Sequence, residues 1–239
     1  MKTLTVASAK GGVGKSSLSA GLGLALAQSG KRTLLIDMDI GVRSLDIFLG
    51  VAQNTVYNWG DILDGNCDVD TAILKINENL FLIAAPLDFS ENFTEEGLKA
   101  VTDGLKDEFD IIIFDAPAGL ECGFKLASHC AESCIIVSTP DAVSIRAASC
   151  AAYNVRKTGI EDIRLVINRF NKKAKNNVCI DEIIDTVTAR LIGIVPESPE
   201  IKSFSNGVPI PEKSKGNLAY KRISRRLCGE NVPLNFKII

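Results

Sequence analysis

Thr3-Leu4-Thr5-Val6-Ala7-Ser8-Ala9-Lys10-Gly11-Gly12-Val13-Gly14-Lys15-Ser16 passes from a β-type run through a glycine cluster into a segment with Leu18, Leu22 and Leu26 four residues apart. The succession predicts strand, loop and helix. Gly30 predicts a left-handed cap, and Thr33-Leu34-Leu35-Ile36 predicts a second buried strand that closes a βαβ unit of about 30 residues. Glycines 11, 12 and 14 admit backbone conformations that a side chain would block, and a helix N-terminus directs N–H groups and positive dipole at whatever the loop encloses. The segment Gly11, Gly12, Val13, Gly14, Lys15, Ser16 and Ser17 is therefore a candidate phosphate cradle, with Lys15 able to reach β- and γ-phosphates and Ser16 able to offer a hydroxyl to magnesium. One departure from the general pattern G-x-x-x-x-G-K-[ST] stands out: Ala9 replaces the first glycine, and a second lysine, Lys10, follows it.

Further apolar runs recur at Leu80–Ala85, Ile111–Phe114, Ile135–Val137, Leu165–Ile167 and Leu191–Val195, separated by helical stretches such as Thr94–Lys106 and Ala142–Lys157. Continuous rather than alternating strands imply a sheet covered on both faces. The expected fold is a doubly wound α/β domain, residues 1–239, with a mostly parallel sheet and ligands at the carboxyl ends of its strands. Asp37-Met38-Asp39 ends the second strand, and a period of two places both carboxylates on one side of the chain at that edge. Ile111-Ile112-Ile113-Phe114-Asp115-Ala116-Pro117-Ala118-Gly119 delivers a third carboxylate there, ahead of a glycine-containing loop.

Composition bounds the alternatives. The 239 residues are 46% hydrophobic and 23% charged, which excludes a disordered chain, and 27 Lys+Arg against 29 Asp+Glu give a net charge of −2 that offers no general affinity for polyanions. The apolar runs fall well short of the roughly 20 residues of a membrane span, and no secretory leader is expected. Seven cysteines, scattered without a C-x-x-C pair, suit buried thiols in a reducing cytoplasm. His129 has no evident partner, Trp59, Phe89 and Phe93 are expected in the core or at a dimer surface, and Asn217–Cys228 reads as a basic amphipathic helix whose apolar stripe, with Leu218, Ile223 and Leu227, packs on the core.

The run Lys10-Gly11-Gly12-Val13-Gly14-Lys15-Ser16 resembles the deviant Walker A motif of the MinD/ParA group of P-loop ATPases. The resemblance implies ATP and Mg2+ as ligands and a nucleotide sandwich dimer, in which Lys10 crosses to the phosphates bound by the other subunit. A cation supplied in trans would stabilise charge on the transferring phosphoryl and couple hydrolysis to dimerisation. By the same resemblance Asp39 orients the attacking water, Asp37 supports the magnesium and phosphate-loop network, Asp115 holds magnesium through a water, and Gly119 presents an N–H to the γ-phosphate. Asn168, followed by Arg169, matches the asparagine that reads the purine edge through its paired donor and acceptor, and Pro196-Glu197 resembles the turn that closes over the base.

Ile36-Asp37-Met38-Asp39-Ile40-Gly41-Val42-Arg43-Ser44-Leu45-Asp46 and the helix Ala219–Glu230 are more similar to the MinD branch, since ParA proteins usually carry a proline after the second aspartate. Two features depart from it. The chain stops after Pro233-Leu234-Asn235-Phe236-Lys237-Ile238-Ile239, where a basic membrane-targeting tail is usual. The helix after Thr139-Pro140-Asp141 reads Ile145-Arg146-Ala147-Ala148-Ser149-Cys150, where acidic residues usually form a partner surface. The resemblance thus implies a cytoplasmic ATPase switch for division-site or cellular positioning, slow until a regulatory partner stimulates it. Peripheral membrane contact through the basic helix is a secondary expectation, and nucleic acid is not an expected partner. The alternatives are an iron–sulfur or metal-centre maturation ATPase using Cys122, Cys130 and Cys134, a ParA-like DNA-partitioning ATPase, and a nucleotide-gated binding protein with negligible hydrolysis.

Overall fold

In the computed structural model, which describes residues 2–174 and 178–234, the first half of the chain forms β1 (Thr3–Ser8), α1 (Lys15–Gln28), β2 (Thr33–Asp37), α2 (Leu45–Phe48), α3 (Trp59–Leu63), α4 (Val69–Ala72), β3 (Leu74–Lys75), β4 (Leu80–Ile83) and α5 (Glu95–Leu105). It continues through β5 (Ile111–Ala118), α6 (Cys122–Cys130), β6 (Ser133–Ser138), α7 (Ala142–Lys157), β7 (Asp162–Phe170), α8 (Ile180–Val187), β8 (Arg190–Pro196), α9 (Pro199–Phe204) and α10 (Lys215–Leu227). Asn235 to Ile239, the end of the segment compared with the membrane-targeting tail, lie outside the described residues.

The strands form one sheet in the order β3-β4-β2-β5-β1-β6-β7-β8, parallel throughout except for the short antiparallel β3. β1 is central, flanked by β5 and β6, so the loop after it emerges at the middle of the carboxyl edge. Residue alternation splits the core into two layers: Leu4, Val6, Leu35, Ile111 and Ile113 face α1 and α10, whereas Ala7, Leu34, Ile36, Ile112 and Phe114 face α5 to α8. The central strands are buried on both faces, which accounts for their unbroken apolar runs.

β2 ends at Asp37, two residues before the predicted end, because the chain turns there: Met38 packs into the core, the Asp39 N–H donates to the Asp37 carboxylate at 2.9 Å, and the Ile40 N–H donates to the Met38 carbonyl. The final helix packs as expected, but through Ala219, Tyr220, Ile223 and Leu227, while Leu218 turns outward.

The Tyr220 ring lies over Gly21 of α1, where a Cβ would overlap it, and its hydroxyl pairs with Ser17 Oγ at 2.9 Å. Glycine inside a helix costs about 1 kcal/mol relative to alanine, so Gly21 is there for the close approach. Gly21→Ala is therefore expected to destabilise the fold by about 1–3 kcal/mol despite its better helix propensity. A urea titration read by far-UV circular dichroism checks this, and a variant at or above wild-type stability would contradict the packing argument.

Candidate functional site

Gly14 begins α1 in the left-handed conformation (φ 95°), and a Cβ there would run into the Asn168 amide, so the loop has this shape only with glycine at that place. A cleft of 870 Å³ opens above it at the carboxyl edge. Ten of the residues singled out from sequence line it: Gly12, Gly14, Lys15, Ser16, Ser17, Asp39, Asn168, Arg169, Pro196 and Glu197. Lys10, Gly11 and Val13 line a neighbouring 440 Å³ recess with Thr139 and Asp141. Asp37 and Asp115 lie beneath, 1% and 0% exposed, paired in register on adjacent strands. A separate 550 Å³ recess between α7 and α8 holds none of these residues.

The charges in the cleft are only partly matched within the chain. Lys15 is 7% exposed, and among the described residues its ammonium makes no hydrogen bond or ion pair. Burial lowers its pKa, opposed through space by Asp115 and Asp39. The Asp37 carboxylate is saturated, accepting from the N–H groups of Asp39, Ser44 (2.8 Å) and Leu45 (2.9 Å). Asp115 accepts from Ser19 Oγ at 2.7 Å through one oxygen, and its other oxygen is buried without a partner. Burial holds both carboxyls above the ordinary carboxylate range, and the Asp37 charge pushes Asp115 further. A half-satisfied buried carboxylate beside the Ser16 hydroxyl is a hard-oxygen donor set that a hydrated divalent cation would complete, and an anionic phosphate chain would satisfy Lys15. The site therefore fits magnesium, with Ser16 and Asp115 as its holders and Asp37 as the anchor of the loop alongside.

Lys10 pairs with Asp141 at 3.0 Å, on a carboxylate that also accepts from the Thr139 hydroxyl and caps α7. Asn168 is 2% exposed; its amide donates to the Val13 carbonyl at 2.7 Å and accepts from the Arg169 N–H at 2.9 Å. Arg169 takes a positive φ of 53°, unusual for a residue with a side chain. Glu197 accepts from the Asn171 amide at 3.3 Å, holding the Pro196-Glu197 turn against the end of β7.

Several neighbours escaped the sequence reading: Ser19, the partner of Asp115; Ser44, whose hydroxyl donates to Ser16 Oγ at 3.0 Å; and Phe48 and Ile201, which give the cleft an apolar wall. Ser19 lies one helical turn after Ser16, a spacing visible in sequence, whereas the others depend on tertiary folding. His129 does have a partner, Glu95, at 3.2 Å. Trp59 and Phe93 are core residues, and Phe89 is exposed.

The cysteines depart from expectation, since Cys150, Cys179 and Cys228 are exposed. Cys130 and Cys134 are buried, burial pushes both thiols up, and a cluster shared between subunits has no access to them. Much of the basic charge of α10 is engaged within the chain. Lys221 pairs with Glu212, Arg225 pairs with Glu230, and Arg226 donates to the carbonyls of Ile192, Val232 and Pro233. Among the described residues no helix is long and apolar enough to cross a membrane.

The model of the CobQ/CobB/MinD/ParA nucleotide-binding domain matches residues 4–210. The chain is 38% identical to the septum site-determining protein MinD of Bacillus subtilis, over 98% of this chain and 91% of that protein. It is 37% identical to MinD of Synechocystis, over 97% and 91%. Among solved structures, MinD in the MinC:MinD complex of Aquifex aeolicus superposes with a TM-score of 0.90 at 34% identity, covering 98% of both chains. MinD of Pyrococcus horikoshii, solved with Mg-ADP, gives 0.86 at 25% identity, covering 95% of both chains.

Proposed function

We propose that this chain, which belongs to the CobQ/CobB/MinD/ParA nucleotide-binding family, is a MinD-like ATPase that binds Mg-ATP, pairs face to face with a second copy, and hydrolyses ATP to reset a switch in division-site positioning. One observation carries the reading: among the described residues, a buried ammonium without a hydrogen bond lines the cleft near a buried carboxylate with one oxygen that makes none. Magnesium, when bound, supplies charge that offsets the negative charge of the phosphate oxygens. Gly12 to Ser16 give backbone N–H groups to the phosphates, and Lys15 neutralises them. Asp39 accepts a hydrogen bond from the attacking water. Asn168 keeps the cradle in shape, and with Pro196 and Glu197 it borders the place of the base.

Lys10 acts on the neighbouring subunit. Its pairing with Asp141, across the recess beside the cradle, supports this role by showing that the ammonium reaches beyond the loop that carries it. Turnover is slow in the isolated protein and rises with a regulatory partner, as a cycle limited by dimer assembly requires. The family's MinC:MinD complex supports a protein of that kind as the partner. The internal pairing of the α10 charges supports a cytoplasmic switch over one held to anionic lipid by that helix.

The test is a sizing column run in Mg-ATP and in Mg-ADP, with phosphate release measured in parallel. The wild type is expected to dimerise in ATP alone. Lys10→Ala is expected to bind ATP normally yet stay monomeric and lose about 1,000-fold in partner-stimulated turnover, the scale of a cation supplied in trans. Unchanged dimerisation in Lys10→Ala would defeat the proposed role, and absence of any wild-type dimer would defeat the cycle.

A further inference from the structure

Ser44 occupies the N-cap position of α2, yet its side chain makes no capping hydrogen bond. Serine is among the preferred caps because its oxygen accepts from an orphan N–H in the first turn. Here the hydroxyl turns the other way and donates to Ser16 Oγ, 3.0 Å away across 28 positions of sequence, on the wall of the cleft.

The surrounding chain holds it in that orientation. The Ser44 N–H is fixed by Asp37 Oδ2 at 2.8 Å, and the preceding residue, Arg43, has a φ of 53°. A side-chain-bearing residue keeps such a conformation only when its surroundings impose it. Here the clamp is visible: the Arg43 guanidinium contacts the 4%-exposed Asp46 carboxylate at 2.9 Å and reaches the Thr55 carbonyl. The same Asp37 that holds Ser44 accepts, through its backbone carbonyl, a 2.8 Å hydrogen bond from the indole of Trp59.

We infer that Ser44 is a positioning residue of the metal site, whose hydroxyl orients Ser16 Oγ and ties the metal there to the conformation of the loop from Asp39 to Leu45. The inference rests on the nucleotide reading proposed above. A serine hydroxyl oxygen has two lone pairs, so one that accepts a hydrogen bond can hold the side chain in one rotamer while the other is given to a cation. Ser44 fixes that rotamer from outside the phosphate loop, and through Asp37 the loop and Trp59 register whether the arrangement is made.

Trp59 is the only tryptophan in the chain, so its emission reports on this network without labelling. The experiment titrates Mg2+ into ADP-loaded protein while following Trp59 emission, and separately measures binding of a fluorescent ADP in EDTA. Wild type is expected to show a saturable metal-dependent change in emission. Ser44→Ala is expected to raise the half-saturating Mg2+ about 5-fold, the effect of one net hydrogen bond, with ADP affinity in EDTA within about 2-fold of wild type. Ser44→Thr, which keeps the hydroxyl, is expected to restore the wild-type midpoint.

The inference is overturned by an unchanged midpoint in Ser44→Ala, by an equal loss of ADP affinity with and without metal, or by Ser44→Thr behaving like alanine. A wild-type emission that ignores Mg2+ while metal still tightens ADP binding overturns the link to the loop. If wild-type protein binds no ADP in either condition, the nucleotide reading itself falls and takes this inference with it.

Discussion

Lys15→Ala is expected to abolish useful ATP binding while leaving the nucleotide-free fold intact. The ammonium is nearly buried and, among the described residues, without a hydrogen-bond partner, so its desolvation is a cost that Asp115 and Asp39 offset in part and an anion in the cleft would offset further. Removing a charge-assisted contact of this kind costs about 3 kcal/mol, or about 100-fold in Kd. At a ligand concentration of 100 times the wild-type Kd, nucleotide stabilises the wild type by about 2.7 kcal/mol, and the variant, then near its own Kd, by about 0.4 kcal/mol. For a chain of this size that separates a Tm rise of about 5–10 °C from one of about 1 °C. Nucleotide-free stability changes far less, because losing the ammonium also removes the cost of burying it. Lys15→Met, which keeps the aliphatic stem, controls for packing. Equal Tm shifts with ADP in variant and wild type would show that Lys15 does not face the phosphates.

The residues around Lys15 also show how far the sequence alone could be followed. The glycine loop, Lys15 and Ser16 are contiguous, and Asp115 ends an apolar strand, so local pattern sufficed to bring them to one edge. Asn168, Pro196 and Glu197 came from resemblance, and they do reach the same cleft because β7 and β8 are parallel neighbours. What lay out of reach is long-range or irregular. Ser44 meets Ser16 only because Asp37 folds the intervening loop back, and no period links them. Between Asp39 and Leu80 the helices are four or five residues long, too short for a 3.6-residue periodicity to register. A capping box between Asn58 and Asp61 was nonetheless legible as the start of α3. The exposed Cys150 was also legible in principle: Ile145, Ala148, Ala152 and Val155 mark the buried stripe of α7, and position 150 falls off it. Reading cysteine as apolar by type concealed what helical phase would have shown.

Asp37 and Asp39 illustrate how two adjacent carboxylates divide their duties once the strand ends between them. All the accepting capacity of Asp37 that the structure uses is directed at backbone, so it acts as a clamp. Asp39 stands partly exposed on the cleft wall. Its carboxylate is free to meet a water, and its pKa is raised by burial and lowered by Lys15. Its backbone carbonyl accepts from Val42 and Arg43, contacts that any side chain at this position retains. Asp39→Ala is therefore expected to keep the loop and the affinity for ATP, and to lose the group that orients the attacking water.

Positioned acid–base groups contribute about 100- to 10,000-fold to such reactions, so phosphate release should fall by at least about 100-fold. In the proposed cycle ATP closes the dimer and hydrolysis opens it, so a variant that binds without turning over should accumulate as a dimer on a sizing column in Mg-ATP, and remain monomeric in Mg-ADP. Asp39→Asn, equal in shape but weaker as an acceptor, should fall on the same side as alanine. If Asp39→Ala binds ATP yet elutes as a monomer, hydrolysis is not the step that separates the subunits. If it turns over at the wild-type rate, the water is oriented by another group, and Asp39 belongs with Asp37 as a support of the loop.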